Sequence, residues 1–262
     1  MYCHCLNKLV WVISMKSNCK IKLSFIPLSI LFLFLFSCYD NDAKENTNKC
    51  LLSEATQWEK SDAYKNDSPF YCFWNKDNAS VDKSCVLTLT LNNKKKYDLP
   101  YSSGEYKSII LYDYGKYEVM MKPPKQSGVI TSFFLYGGVS STPSHNEIDF
   151  EFVGERKDTV QLNYFANGVG NHEKWIDLGF DPYADFHKYA FEFGKDSVVW
   201  YIDDKKVHII DKNNGVIPVK PLKLIFNLWC IDNNREDVKS WAGEFNYSGP
   251  IQAIFKSFVK SE

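Results

Sequence analysis

Three carboxylic acids stand at every second position of the stretch His145-Asn-Glu-Ile-Asp-Phe-Glu-Phe152, namely Glu147, Asp149 and Glu151, alternating with Ile148, Phe150 and Phe152. In a β-strand successive side chains point to opposite faces, so the acids line one face and the large apolar residues the other. Like charges on one face repel, and in a partly dry site each carboxylate raises its neighbour's pKa. Stability alone does not favour that stack. A solvated acidic outer face is the plainer alternative, since half-buried strands often alternate in this way. Against it stand the aromatic and amide residues that flank the stretch in strand-like segments. Two carboxyl groups about 5–5.5 Å apart can cleave a glycosidic bond with retention, one attacking the anomeric carbon while the other protonates the leaving oxygen. Glu147 and Glu151 are four residues apart, about 13 Å between Cα atoms at 3.3 Å per residue, so their side chains must lean together on a curved sheet. Asp149 can hydrogen-bond one of them and drive their pKa values apart, leaving one base and one acid.

Such a face needs a sheet to hold it. Val86-Leu-Thr-Leu-Thr-Leu91 alternates strictly and reads as a strand. Further strands are predicted at 106–111, 116–121, 129–136, 159–165, 187–193, 197–202, 206–210, 222–229 and 252–259. Turns fall at Asp113-Tyr-Gly115, Pro123-Pro124, Ser127-Gly128, Gly137-Gly138 and Asp203-Asp204. Many short strands without a long amphipathic helix predict an all-β jelly-roll sandwich of two curved antiparallel sheets. A concave aromatic face on one sheet would form a cleft for an extended polymer. No internal repeat or second domain is visible.

The chain has 262 residues, enough for one sizeable core, and is 16% aromatic. Its formal charge of −1 gives no reason to expect a nucleic acid partner. Lys16, Lys20 and Lys22 precede an uncharged run at 23–36, shorter than the roughly 18 residues of a membrane span, which predicts an export signal over residues 1–37. Leu35-Phe36-Ser37-Cys38 resembles a bacterial lipobox, so Cys38 is the expected lipidated N-terminus, whether translation starts at Met1 or Met15. Loss of four lysines then leaves about −5. Residues 38–53 read as a polar tether and 54–262 as the domain. The expected location is exported, held to a bacterial outer membrane or cell surface by lipid alone, and the expected state is monomeric. Cys50, Cys72, Cys85 and Cys230 remain in the mature chain, with no CxxC and no metal-ligand spacing. Export permits disulfides; a Cys72–Cys85 bridge is one expectation, and the pairing stays open.

Glu147-Ile-Asp-Phe-Glu151 resembles the signature of glycoside hydrolase family 16. Segments on both sides resemble the bacterial lichenases of that family: Gln57-Trp-Glu-Lys60, Tyr117-Glu-Val-Met-Met-Lys-Pro123, Asn163 to Lys174, Gly179-Phe-Asp181 and Phe226-Asn-Leu-Trp229. The likeness spans about residues 54 to 260. It implies a jelly roll with Glu147 as nucleophile, Glu151 as general acid/base and Asp149 assisting, acting as a retaining endo-β-1,3-1,4-glucanase without a cofactor. It also implies a sugar cleft that includes Asn66, Glu105, Phe134, Tyr136, Asn163, Glu173, Asn227 and Trp229, with Lys107, His145 and Phe165 at positions where lichenases carry Arg, Trp and Tyr. Aromatic faces pack on glucose rings while amides and carboxylates bond hydroxyls. An isolated aromatic such as Phe134 or Trp229 is as a rule core; Tyr136 keeps the family's spacing of eleven residues from the nucleophile.

The departures bear on substrate. The whole phrase beginning at His145, with Phe180-Asp-Pro182, Phe186-His187 and Tyr201-Ile-Asp-Asp204, resembles the xyloglucan transglycosylase/hydrolases of the same family. Xyloglucan is therefore the competing substrate, and a non-catalytic glycan-binding protein the competing class. The family's usual partner for Cys72 is Ser103 here, and its calcium-ligating Asp corresponds to Lys256 or Ser257, so neither that bridge nor a structural calcium is expected.

Overall fold

A computed structural model describes residues 50–53 and 56–262. The expected signal peptide, Cys38 and the tether up to residue 49 lie outside the described residues. In chain order the strands are β1 (Trp58–Lys60), β2 (Tyr64–Lys65), β3 (Cys72–Trp74), β4 (Ala79–Val81), β5 (Leu87–Leu91), β6 (Tyr101–Ser103), β7 (Glu105–Ser108), β8 (Gly115–Lys122) and β9 (Val129–Gly137). They continue with β10 (Asn146–Val153), β11 (Thr159–Phe165), β12 (Lys174–Asp177), β13 (His187–Phe193), β14 (Ser197–Ile202), β15 (Lys205–Asp211), β16 (Lys223–Cys230) and β17 (Ile251–Ser261), with one short helix, α1 (Glu236–Ala242), before the last.

Alternation sorts these strands into two seven-stranded antiparallel sheets. One runs β1-β7-β16-β9-β10-β11-β12 and the other β15-β14-β13-β8-β17-β5-β4, while β2-β3-β6 form a small third sheet. The core lies between the large sheets, where the even-numbered residues of β10 meet the odd-numbered residues of β13. Ile148, Phe150 and Phe152 are almost wholly buried. Phe133 stacks on Phe191 across the interface at 4.8 Å, and Phe152 meets Tyr189 edge-on at 4.8 Å. Each such ring is worth about 1.5–3 kcal/mol of burial. One polar contact crosses the same interface: the indole N–H of Trp200 on β14 donates to the Asp149 carbonyl at 3.1 Å.

The expected jelly-roll sandwich is what forms, with particular differences. The predicted strand at 106–111 stops at Ser108, whose hydroxyl donates to the Ile110 carbonyl and leaves Ile109 and Leu111 exposed. Strands β1, β2, β3, β4, β6 and β12 have no more than four residues each, too few for a period to register. The Asp203-Asp204 hairpin forms as expected, with both residues at positive φ (46° and 65°), the geometry of a tight two-residue turn.

The cysteine expectation needs correction. The disulfide joins Cys50 to Cys85, not Cys72 to Cys85. Cys85 sits at the turn between β4 and β5, beside the start of the described chain, whereas Cys72 lies buried in β3 with its thiol against that of Cys230. Cys50–Ser53 also belongs to the folded body rather than to the tether. Leu52 is fully buried, and the carbonyls of Leu51 and Leu52 accept from Trp58 Nε1 and the Tyr106 hydroxyl, each at 2.7 Å. At the other end of the chain, the Lys256 ammonium lies 3.8 Å from the centre of the Phe186 ring.

Candidate active site

Antiparallel pairing fixes which side chains meet the three acids. On β10, Glu147 lies opposite Tyr136 and Phe165, Asp149 opposite Phe134 and Asn163, and Glu151 opposite Ser132 and Gln161. The rows continue through β16 into β7: Tyr136 pairs with Lys223, Phe134 with Ile225, Ser132 with Asn227, then Ile225 with Lys107 and Asn227 with Glu105. Directly opposed residues share a face, so every one of these side chains stands on the acidic face. That face floors a cleft of about 770 Å³, walled on one side by residues 64–70, which lead from β2 towards β3.

Twelve of the fourteen expected site residues line the cleft: Glu147, Asp149, Glu151, Asn66, Glu105, Lys107, Phe134, Tyr136, His145, Phe165, Asn227 and Trp229. The other two stand apart. Asn163 shares the row of Asp149, but its side-chain oxygen accepts from the adjacent Tyr164 N–H at 2.8 Å. Glu173 is exposed beyond β11, near enough that its charge raises the pKa values of Asp149 and Glu151. Cleft residues absent from the expected set fall into two groups. Ser132, Lys223 and Ile225 follow from extending the period-2 pattern from Phe134 and Asn227. Tyr64, Lys65, Asp67, Ser68, Pro69 and Phe70, together with Ser140 in the loop after β9, come from segments with no such pattern; only the fold brings them there.

The electrostatics divide the acids. Burial first, then the charges of Glu147 and Glu151 and a hydrogen bond to Glu147, hold Asp149 well above the usual carboxylate range. Burial, with the charges of Glu147 and Glu173, pushes Glu151 up to about 8. A carboxyl raised to about 8 is mostly protonated at neutral pH, and the raised Asp149 favours its neutral, donating form. Asp149 can donate its proton to Glu147, while Glu151 keeps one to give away. Glu147 receives a second contact from His145, whose Nε2 lies 2.6 Å from its Oε2.

The remaining polar groups are arranged around this centre. Glu105 is buried and accepts from the Ser61 and Tyr64 hydroxyls at 2.6 and 2.7 Å. Burial and that carboxylate raise the Tyr64 pKa. Lys107 donates to the Tyr64 hydroxyl and pairs with Glu59 at 3.7 Å. Phe70 lies against Trp229 with ring centres 4.2 Å apart and planes tilted by 32°, giving the cleft an aromatic wall. The side-chain oxygen of Asn227 is buried without a hydrogen-bond partner, an unsatisfied acceptor in the wall.

A family model described as glycosyl hydrolases family 16 matches residues 66–249, which include all three acids. The chain belongs to that family. A beta-glucanase of Paenibacillus polymyxa is 41% identical over 203 residues, covering 77% of this chain and 81% of the relative. A beta-glucanase of Bacillus subtilis is 39% identical over 200 residues, covering 76% and 78%. Among solved structures, the Bacillus licheniformis beta-glucanase superposes with a TM-score of 0.71 at 37% identity, over 79% of this chain and 93% of that one. A beta-1,3-1,4-glucanase (lichenase) derived from a mouse hindgut metagenome gives the same TM-score at 34% identity, over 79% and 94%. Family 16 membership makes this chain a glycoside hydrolase, and the relatives it resembles are named beta-glucanases. The laminarinase catalytic domain of Thermotoga maritima, at 22% identity and a TM-score of 0.67, shares the fold.

Proposed function

We propose that the protein is a retaining endo-β-glucanase acting on β-1,3-1,4-glucan by double displacement. The observation that carries the reading is the geometry along β10, where the buried Asp149 and the half-buried Glu151 share one face with Glu147, whose Oε2 lies 2.6 Å from His145 Nε2, and where Asp149 and Glu151 are both raised above the usual carboxylate range. Glu147 attacks the anomeric carbon while Glu151 gives its proton to the leaving oxygen. Asp149 stays protonated and donates to Glu147, steadying it before attack. Water then hydrolyses the glycosyl–enzyme ester, with Glu151 taking the water's proton as general base. No step calls for a metal or cofactor.

The linkage preference rests on the relatives: curated sequences named beta-glucanase, and a similar solved structure named a beta-1,3-1,4-glucanase (lichenase). Phe70, half-buried and backed by the buried Trp229, gives glucose rings a surface, and Asn227 and Glu105 give hydroxyls partners. Glu147→Ala and Glu151→Ala are expected to abolish release of reducing ends from lichenan, and azide is expected to rescue Glu147→Ala as an α-glycosyl azide. Near-normal activity in either variant would refute the assignment. Faster turnover of xyloglucan than of lichenan by the wild type would move the substrate to the competing branch.

A further inference from the structure

The sequence places His145 among the sugar-binding positions, yet its side chain is not built as a platform. It is only 3% exposed. The ring lies between Phe165, stacked at 4.4 Å, and Tyr136, tilted at 5.1 Å. These two are the residues directly across the sheet from Glu147 on either side. The imidazole is thus clamped by the nucleophile's own cross-strand neighbours. Its backbone is fixed as well: the His145 N–H donates to the Thr142 carbonyl at 3.0 Å, and its carbonyl accepts from the Gly168 N–H at 2.8 Å. Gly168 has φ +82°, and a Cβ there would collide with the Thr142 carbonyl, so the loop closes tightly beneath the ring.

The two ring nitrogens have unlike surroundings. Nε2 faces Glu147 Oε2 at 2.6 Å, while Nδ1 is buried with no hydrogen-bond partner. A proton on Nδ1 would bury an unpaired donor, whereas a proton on Nε2 points at a carboxylate oxygen. The proton therefore belongs on Nε2, and His145 is a donor to Glu147. With Asp149 on the other side, the carboxyl of Glu147 is held by two donors from its own strand face.

We propose that His145 is a positioning residue that orients the Glu147 carboxylate for attack, rather than a sugar subsite. The inference rests on the reading of Glu147 as nucleophile, and it acts only through that side chain. His145→Phe keeps a ring between Tyr136 and Phe165 without a donor. His145→Gln places an amide N–H the same number of bonds from the backbone as Nε2. Misplacement of a reacting group by about 1 Å can cost roughly 100-fold. For His145→Phe, kcat should therefore fall about 10- to 100-fold on lichenan and on an aryl β-glucan oligosaccharide with an activated leaving group, with KM within about twofold. His145→Gln should recover most of that loss. In a Glu147→Ala background, adding H145F should leave the azide-rescued rate unchanged, because no carboxylate remains to orient.

Each of these results would overturn the proposal: a raised KM with kcat kept in H145F, an H145Q variant no better than H145F, or a fall in the azide-rescued rate when H145F is added to Glu147→Ala. Full activity of Glu147→Ala would instead remove the nucleophile reading itself. An inactive Glu147→Ala beside a fully active H145F would remove only the role of His145.

Discussion

Glu151 offers a test in which one substitution moves activity and stability in opposite directions. Its carboxyl is pushed up to about 8 from an ordinary value of 4.5, first by burial and then by the charges of Glu147 and Glu173. An acid of that strength is roughly nine-tenths protonated at about pH 7 and about one-tenth at about pH 9. As general acid it works only when protonated, so kcat/KM should fall along an alkaline limb centred near 8, with about tenfold lost by pH 9. The stability sign follows from the same shift. Because the folded value is raised, the folded chain holds a proton that the unfolded chain has released between about pH 4.5 and 8. The stabilising preference for the neutral carboxyl is present below that window and lost as pH rises through it. The slope is at most about 1.4 kcal/mol per pH unit for one proton. Glu151→Gln supplies a permanent neutral isostere: it should be inactive on lichenan yet melt higher than wild type at about pH 8, with the gap shrinking towards pH 5. The assays are initial rates of reducing-end release from lichenan, whose sugar leaving group needs the proton, and thermal melts across roughly pH 5–9.5. An alkaline limb in the wild type near pH 5–6, or a Gln variant with no stability gain at about pH 8, would refute the reasoning.

Other outcomes follow from single contacts. Cys50→Ser opens a disulfide spanning 35 residues of sequence and should cost up to about 4 kcal/mol of stability, read by denaturant unfolding, with kcat unchanged because Cys85 lies at the turn between β4 and β5, strands of the sheet that does not carry the acids. Phe70→Ala removes half of the Phe70–Trp229 ring contact and, at about 1–2 kcal/mol, should raise KM for lichenan roughly five- to thirtyfold while leaving kcat within a factor of a few. Labelled palmitate should enter the wild-type protein in a bacterial host and be lost in Cys38→Ala; its absence from both would reject the anchor.

Much of this site was legible because β10 is a strand whose two faces carry opposite chemistries. With Glu147, Asp149 and Glu151 read as one face, the resemblance to the lichenases places Phe134, Tyr136 and Asn227 beside them. What escaped was whatever depends on contact between distant segments. The wall at 64–70 has no period, and only the small β2-β3-β6 sheet brings it over the acids. The bridge from Cys50 to Cys85 depends on a turn at Cys85 with φ 63° and on the packing of Leu52, neither of which spacing reveals. His145 was legible as a departure in residue type, but its burial between Tyr136 and Phe165 came from pairing across three strands.

The indole bond from Trp200 to the Asp149 carbonyl has a consequence for how this enzyme can change. It reaches the catalytic strand through the backbone, so it is indifferent to which side chain position 149 carries. The even positions of β10 answer to the interior and the odd ones to the substrate. A variant library restricted to the cleft-lining positions Phe134, Tyr136, Ile225 and Asn227 would search specificity while leaving the interior-facing rows of β9, β10 and β16 untouched. Selection in nature would meet the same separation between what holds the sheets together and what meets the sugar. That separation is one physical route by which a single scaffold comes to serve several polysaccharides.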